Sequence, residues 1–311
     1  RGLGDVYKRQ VVGLGPVAAH IVQPVLGAAI KYIESPNAED LSEAAGAIVR
    51  ADFKFDASVF DSMPKLKVIA RTGVGVDLVD LAIADQKKIP VLITPGSNTV
   101  AVAEGTIAHL LTLAKRIKPL TKLVTSGDWS LRTKYPVGDL AGNTLGLIGY
   151  GRIGKQVCDF AIALGMKVKV FDPMASVPTS ISADLEEIFT SSDYLSLHIP
   201  LTNENENLIN RTTLSKMKEG VVIINCSRGA LINLDDALIA LNNGKLGGLG
   251  LDVFDPEPAV HHEIFDHENV TLTPHVMGLS KQSTVATFVD AAQGVRDVLE
   301  GKVPKAVVNL K

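Results

Sequence analysis

Cysteine is close to absent from this chain, with only Cys158 and Cys226 in 311 residues. Two cysteines cannot build a disulfide framework, so a covalently stapled secreted scaffold is excluded and a reducing cytoplasm is the expected compartment. Excess positive charge is also lacking. The net charge of −3 leaves no basic footprint for nucleic acid or for an anionic membrane surface. No apolar run approaches the roughly 18 residues that would span a bilayer. There is no internal repeat, no low-complexity tract, and no HExxH, paired CxxC or carboxylate cluster of the kind that binds a metal.

What remains is ordinary globular composition, 46% hydrophobic and 21% charged, in a chain long enough for two cores. Residues 1–10 carry no hydrophobic period, and the run from Asp5 to Gln10 resembles translated adapter sequence. They are read as a non-native leader and set aside.

From residue 11 onward, short β-branched runs alternate with helical patterns. Strands are expected at Val11–Leu14, Ile30–Ile33, Ala47–Val49, Lys67–Ala70 and Val91–Ile93. Helical patterns fall between them at Ala38–Ala45 and Leu78–Lys88. Alternation of this kind implies parallel βαβ units in a small flavodoxin-like sheet. Ser97 reads as the cap of an apolar helix, Thr99–Ile117, that stops before Pro119, and Thr125–Leu140 reads as irregular. A second series follows at Thr144–Ile148, Lys167–Phe171, Tyr194–Leu197, Val221–Asn225, Gly248–Val253 and Val270–Thr273. Six such strands fit a doubly wound Rossmann sheet. A last helix, about Lys281–Glu300, is expected to return to the first domain.

Two glycine turns need to be told apart. Gly149-Tyr150-Gly151-Arg152-Ile153-Gly154 follows a strand and opens a helix, and Asp172 ends the next strand. Those glycines suit a tight turn, a close backbone approach to pyrophosphate and close helix packing. The acid can accept ribose hydroxyls and would repel a 2′-phosphate, which favours NAD over NADP. The other turn, Gly13–Ala18 with Glu34 downstream, carries Pro16 where an N–H should face phosphate, and reads as an ordinary βα connection.

Ligands of open α/β sheets bind beyond the carboxyl ends of the strands. In the second series those ends carry His198-Ile199-Pro200, Cys226-Ser227-Arg228-Gly229, Asp252 with Glu257 downstream, and Thr273-Pro274-His275. An arginine, a carboxylate and a histidine suit oxidation of a 2-hydroxy acid: a base for the hydroxyl proton, a partner that raises its pKa, and a two-pronged grip on a carboxylate. His198 is expected to shape the cofactor cleft. His20, His109, His261, His262 and His267 are read as surface or packing residues.

Together these motifs resemble the D-isomer-specific 2-hydroxyacid dehydrogenase family over essentially Val11–Leu310. The resemblance implies that Arg228, Glu257 and His275 are catalytic and that a small 2-hydroxy or 2-oxo acid is the substrate. It implies that NAD is held by Gly149–Gly154, Asp172, Thr94, His198, Ile199, Pro200, Cys226, Ser227, Asp252 and Gly278. It also implies a substrate domain (residues 11–98 and 279–311) around an inserted NAD domain (99–278), and a homodimer. The motifs Arg71–Asp77 and Thr94–Asn98 are similar to members acting on 3-phosphoglycerate. There Arg71, Val74, Gly75 and Asn98 would bind substrate, with Arg71, Arg132 and Lys134 as cations for its phosphate. The carboxyl-terminal regulatory domains of longer members are not expected. A glyoxylate or hydroxypyruvate reductase, or an NAD-sensing corepressor-like protein, are the alternatives.

Overall fold

The computed structural model describes residues 9–50 and 52–310. They divide into two compact units, one within Arg1–Asn98 and Leu279–Lys311, the other Thr99–Gly278. Both are α/β units whose named strands pair in parallel, the first sheet adding one antiparallel bridge between Leu92 and Val307 at its edge. No helix among the described residues is long and apolar enough to cross a membrane.

The first unit holds β1 (Arg9–Leu14), β2 (Ile30–Ile33), β3 (Gly46–Val49), β4 (Val68–Arg71) and β5 (Val91–Leu92) in the order β2-β1-β3-β4-β5. That is the flavodoxin-like order. Neighbouring residues on one strand point to opposite faces. Thus Val11 packs with α1 (Ala19–Leu26) and α11 (Lys281–Leu299) residues such as Val22 and Val295, while Val12 packs with Phe55 and Phe60 on the other face. The strand begins two residues before the expected leader boundary. Arg9 and Gln10 pair with Ile30 and Lys31, and the Gln10 amide donates to the Asp40 carbonyl at 2.8 Å. The leader reading for residues 1–8 lies outside the described residues. Around the Gly13–Ala18 turn, Glu34 accepts from the Ala19 N–H at 3.0 Å, so this acid serves the first turn of α1.

The second unit holds β6 (Thr144–Ile148), β7 (Lys167–Phe171), β8 (Tyr194–Leu197), β9 (Val221–Asn225), β10 (Leu246–Leu251) and β11 (Val270–Leu272). Their order is β11-β10-β9-β8-β6-β7, and the direction of progression reverses between β6 and β8. Beyond β7 the sheet gains a single parallel bridge, Val170 to Ser182, where a further edge strand would lie. One face packs on α5 (Thr99–Ala114) and α7 (Arg152–Ala163) through Leu110, Leu147 and Val157; the other buries Ile148, Ile188, Leu197 and Leu241.

Two expectations are corrected between residues 97 and 140. The helix from Thr99 ends at Ala114, because Arg116 adopts a left-handed φ of 55° and a new helix, α6 (Ile117–Ser126), starts at once. Pro119 sits in the first turn of α6, where no intrahelical N–H is needed, so it starts a helix instead of stopping one. Trp129–Lys134 forms a 3₁₀ turn inside the stretch expected to be irregular. Ser97 caps nothing: its hydroxyl donates to the Thr94 carbonyl at 2.8 Å and accepts from Thr287 at 2.9 Å.

Buried Asn309 closes the edge of the first sheet. Its side-chain oxygen accepts from the Val91 N–H at 2.7 Å, and its amide donates to Asp85 and to the Ile89 carbonyl, each at 2.9 Å. Asn309→Ala strands a buried backbone donor, an effect worth about 1–3 kcal/mol. The denaturation midpoint of that variant is expected to fall, and an unchanged midpoint would show that these bonds carry no stability.

Candidate active site

The switch point of the second sheet, between the carboxyl ends of β6 and β8, is where a doubly wound sheet opens a crevice. Gly149 occupies it with φ of 104°, and its N–H donates to the Phe171 carbonyl at 2.9 Å. A Cβ there would lie 2.4 Å from the His198 carbonyl oxygen, so both the dihedral and the space demand glycine. At Gly151, the N-cap of α7, an added Cβ meets nothing within 4 Å. A helix amino terminus with open space before it suits a phosphate.

Asp172 reaches back to this turn. One oxygen accepts from the Tyr150 N–H at 2.7 Å; the other accepts from Met174 at 2.8 Å and Ala175 at 3.0 Å. Burial pushes its carboxyl pKa up, but these three amides and nearby Lys155 outweigh burial and hold it below the usual range. It is therefore an anion with a fixed orientation. His198 follows β8, its Nε2 2.9 Å from the Ser196 hydroxyl, and burial lowers its pKa to about 4. Burial thus favours the neutral imidazole at this position.

After β9 the chain is held by Asn225. Its side-chain oxygen accepts from the Ser227 N–H at 3.0 Å, and its amide donates to the Arg228 carbonyl at 2.7 Å. The Ser227 hydroxyl donates to the Ile199 carbonyl, tying the ends of β8 and β9 together. Burial pushes the Cys226 thiol up to about 12, so its protonated form is favoured.

The centre of the arrangement is an ion pair. His275 Nδ1 lies 2.8 Å from Glu257 Oε2, while Glu257 Oε1 accepts from the Phe254 N–H at 3.0 Å. The hydrogen bond to Glu257 raises the His275 pKa against burial and against the nearby positive charge of Arg228. For Glu257 burial acts upward, but His275, the Phe254 amide and Arg228 together hold it low. Arg228, Glu257 and His275, drawn from the ends of three strands, thus act on one another electrostatically. His275 has a left-handed φ of 52°, unusual for a residue with a side chain. Asp252 fixes that backbone: it accepts from the Thr273 hydroxyl at 2.7 Å, the Val276 N–H at 2.9 Å and the Met277 N–H at 3.2 Å.

In the first unit the glycine turn after β4 is present, but Arg71 differs from expectation. It is buried, and its guanidinium donates to the carbonyls of Arg50, Phe53 (3.3 Å) and Gly75 (3.2 Å). It braces the turn from behind. Thr94 is buried as well, donating its N–H to the Gly73 carbonyl at 2.9 Å. Val74 is exposed and Asn98 half-buried. Sequence reasoning passed over Arg50, whose Nε is buried without a hydrogen-bond partner among the described residues. Arg132 stacks over Trp129 with its guanidinium carbon 5.6 Å from the ring centre; Lys134 ends the same exposed turn. Among the described residues no group of three histidine, cysteine or acidic side chains could hold a metal.

A group raised on folding, as His275 is, adds stability that is full below its unfolded pKa and fades as pH rises through the folded value. Glu257 is the reverse case, its contribution lost as pH falls through its lowered pKa. The pair is doubly charged between those two limits. Glu257→Gln removes the counter-charge, so the imidazole signal of His275 is expected to titrate at lower pH in NMR; an unmoved titration would deny the contact.

Residues 107–277 match the NAD binding domain of the D-isomer specific 2-hydroxyacid dehydrogenases. The D-3-phosphoglycerate dehydrogenase of Bacillus subtilis is 34% identical over 93% of this chain, which spans only 57% of that protein. The hydroxypyruvate reductase of Thermotoga maritima is 38% identical over 74% of this chain and 76% of its own length. The D-lactate dehydrogenase of Aquifex aeolicus, solved with NAD and lactic acid, superposes with a TM-score of 0.84 at 28% identity, covering 97% of this chain and all of the other. This chain belongs to the D-isomer specific 2-hydroxyacid dehydrogenase family.

Proposed function

We propose that the protein is an NAD-dependent dehydrogenase of D-2-hydroxy acids. The Glu257–His275 pair at 2.8 Å, within electrostatic reach of Arg228, is the observation that carries this reading. Gly149–Gly154 and Asp172 would hold the dinucleotide, which supplies the hydride acceptor or donor when bound. His275, oriented through Nδ1, presents Nε2 to the substrate oxygen: it takes the hydroxyl proton in oxidation and returns one to the carbonyl in reduction. Glu257 favours the protonated ring, the form that donates a proton when the enzyme runs toward reduction. Arg228 binds the substrate carboxylate and polarises the C2 oxygen.

For the substrate we favour 3-phosphoglycerate and its 2-oxo partner. The glycine turn at Gly73–Gly75 is assigned to the substrate through its backbone N–H groups, with Val74 and Asn98 as further substrate-binding residues. The cation for a phosphate is reassigned from Arg71, which is occupied by carbonyls, to Arg50, which has an unsatisfied buried nitrogen. Hydroxypyruvate is the second reading, favoured by the 38% identity to the Thermotoga maritima reductase. A second copy of the chain is the proposed partner, supported by exposed Val124, Trp129 and Val137. The two free cysteines are consistent with a cytoplasmic setting.

The deciding experiment assays glyoxylate, hydroxypyruvate and 3-phosphohydroxypyruvate with NADH, in wild type and in His275→Asn. Turnover of at least one substrate is expected, with the mutant slower by about 10²–10⁴-fold because one positioned acid/base group contributes that much. Near-normal kcat in the mutant would remove His275 from the mechanism. Asp172 is expected to make kcat/KM higher with NADH than with NADPH, and Asp172→Ala to narrow the gap; equal values in wild type would contradict its assigned role.

A further inference from the structure

His109 lies on α5, a helix whose inward face is buried, and the sequence offers no hint that it is more than a packing residue. Both of its ring nitrogens are engaged. Nδ1 is 2.7 Å from the Thr271 hydroxyl, and Nε2 is 3.1 Å from the Thr273 hydroxyl. The Thr273 hydroxyl is in turn 2.7 Å from Asp252 Oδ1. The proton positions in this chain follow from one asymmetry. A carboxylate can only accept, so the Thr273 hydroxyl donates to Asp252 and its oxygen accepts from His109. Nε2 therefore carries the proton. Burial lowers the His109 pKa, so the ring is neutral and Nδ1 accepts from Thr271.

The result is a directed relay: Thr271 to His109, His109 to Thr273, Thr273 to Asp252. Asp252 is its junction, because the same carboxylate accepts the N–H groups of Val276 and Met277, the two residues that follow His275. A helix distant in sequence is thereby tied to the backbone that holds His275 at its left-handed φ. We propose that His109 is a positioning residue for the His275 loop, acting through Thr273 and Asp252. Its effect on turnover rests on the reading of His275 given above; its effect on the loop does not.

The two arms of the imidazole can be separated. The amide nitrogen of glutamine falls near Nε2 of histidine, and the amide oxygen of asparagine falls near Nδ1. His109→Gln therefore keeps the arm toward Thr273, whereas His109→Asn keeps only the arm toward Thr271. Two readouts apply. Amide hydrogen exchange at Val276 and Met277 is expected to be about tenfold faster in His109→Asn than in wild type, the factor that about 1.4 kcal/mol commands, with His109→Gln close to wild type. With NADH and the substrate found to turn over, kcat is expected to fall by about tenfold in His109→Asn, with KM for NADH unchanged. Thr273→Val should reproduce both effects, and adding His109→Asn to it should change nothing further, since both act on one chain of bonds. Equal exchange and equal kcat in the asparagine and glutamine variants would overturn the proposal, as would losses that multiply in the double variant. Exchange requires no turnover. An inactive wild type would therefore defeat the dehydrogenase reading, while the exchange comparison would still decide the role of His109.

Discussion

All six strands of the second sheet run in one direction, and that constraint decides where chemistry can be placed. Every carboxyl end opens on the same edge, so the residue after each strand is brought to a common rim whatever its distance in sequence. Gly149, Asp172, His198, Arg228, Asp252 and His275 all follow strands of this sheet within a few residues. The polar loops at that rim are then secured by short side chains at the strand ends. Asn225 holds the turn before Arg228, Asp172 holds the glycine turn, and Asp252 holds the loop around His275.

Two histidines on this rim show how burial and partners divide one residue type between roles. His198 has a serine hydroxyl for a partner and is driven to the neutral form by burial. His275 is more open and faces a carboxylate, and its protonated form is favoured. Neither outcome needs a change in the imidazole. The difference is an anion at 2.8 Å on one side and none on the other.

Much of this was legible in the sequence. The strands from Thr144 to Asn225 could be placed because β-branched runs between polar punctuation admit few alternatives, and the pairing of Glu257 with His275 followed from where their strands end. Other features depended on surroundings that no local pattern reports. Pro119 was read as a stop, yet the same ring fits the first turn of a helix, and only the left-handed Arg116 before it decides between the two. The start of β10 at Leu246 was missed because Gly247 and Gly248 depress strand propensity, while burial in the sheet compensates. Arg71 was read as a cation for a substrate phosphate because sequence gives charge but not depth, and its burial among backbone carbonyls was not legible. His109 and Asn309 were invisible for the same reason, since a buried hydrogen bond has no periodicity.

The bracing of the Gly73–Gly75 turn by Arg71 has an entropic consequence. A loop of glycines would ordinarily sample many conformations and lose them on meeting a ligand. Here a guanidinium, its pKa lowered to about 10 by burial yet still charged at neutral pH, gathers three backbone carbonyls behind the turn. The backbone of the turn is thus arranged by folding, before any encounter. In the proposed role, an anion at that turn would meet a host already ordered, and the free energy of its hydrogen bonds would not be spent on ordering the chain.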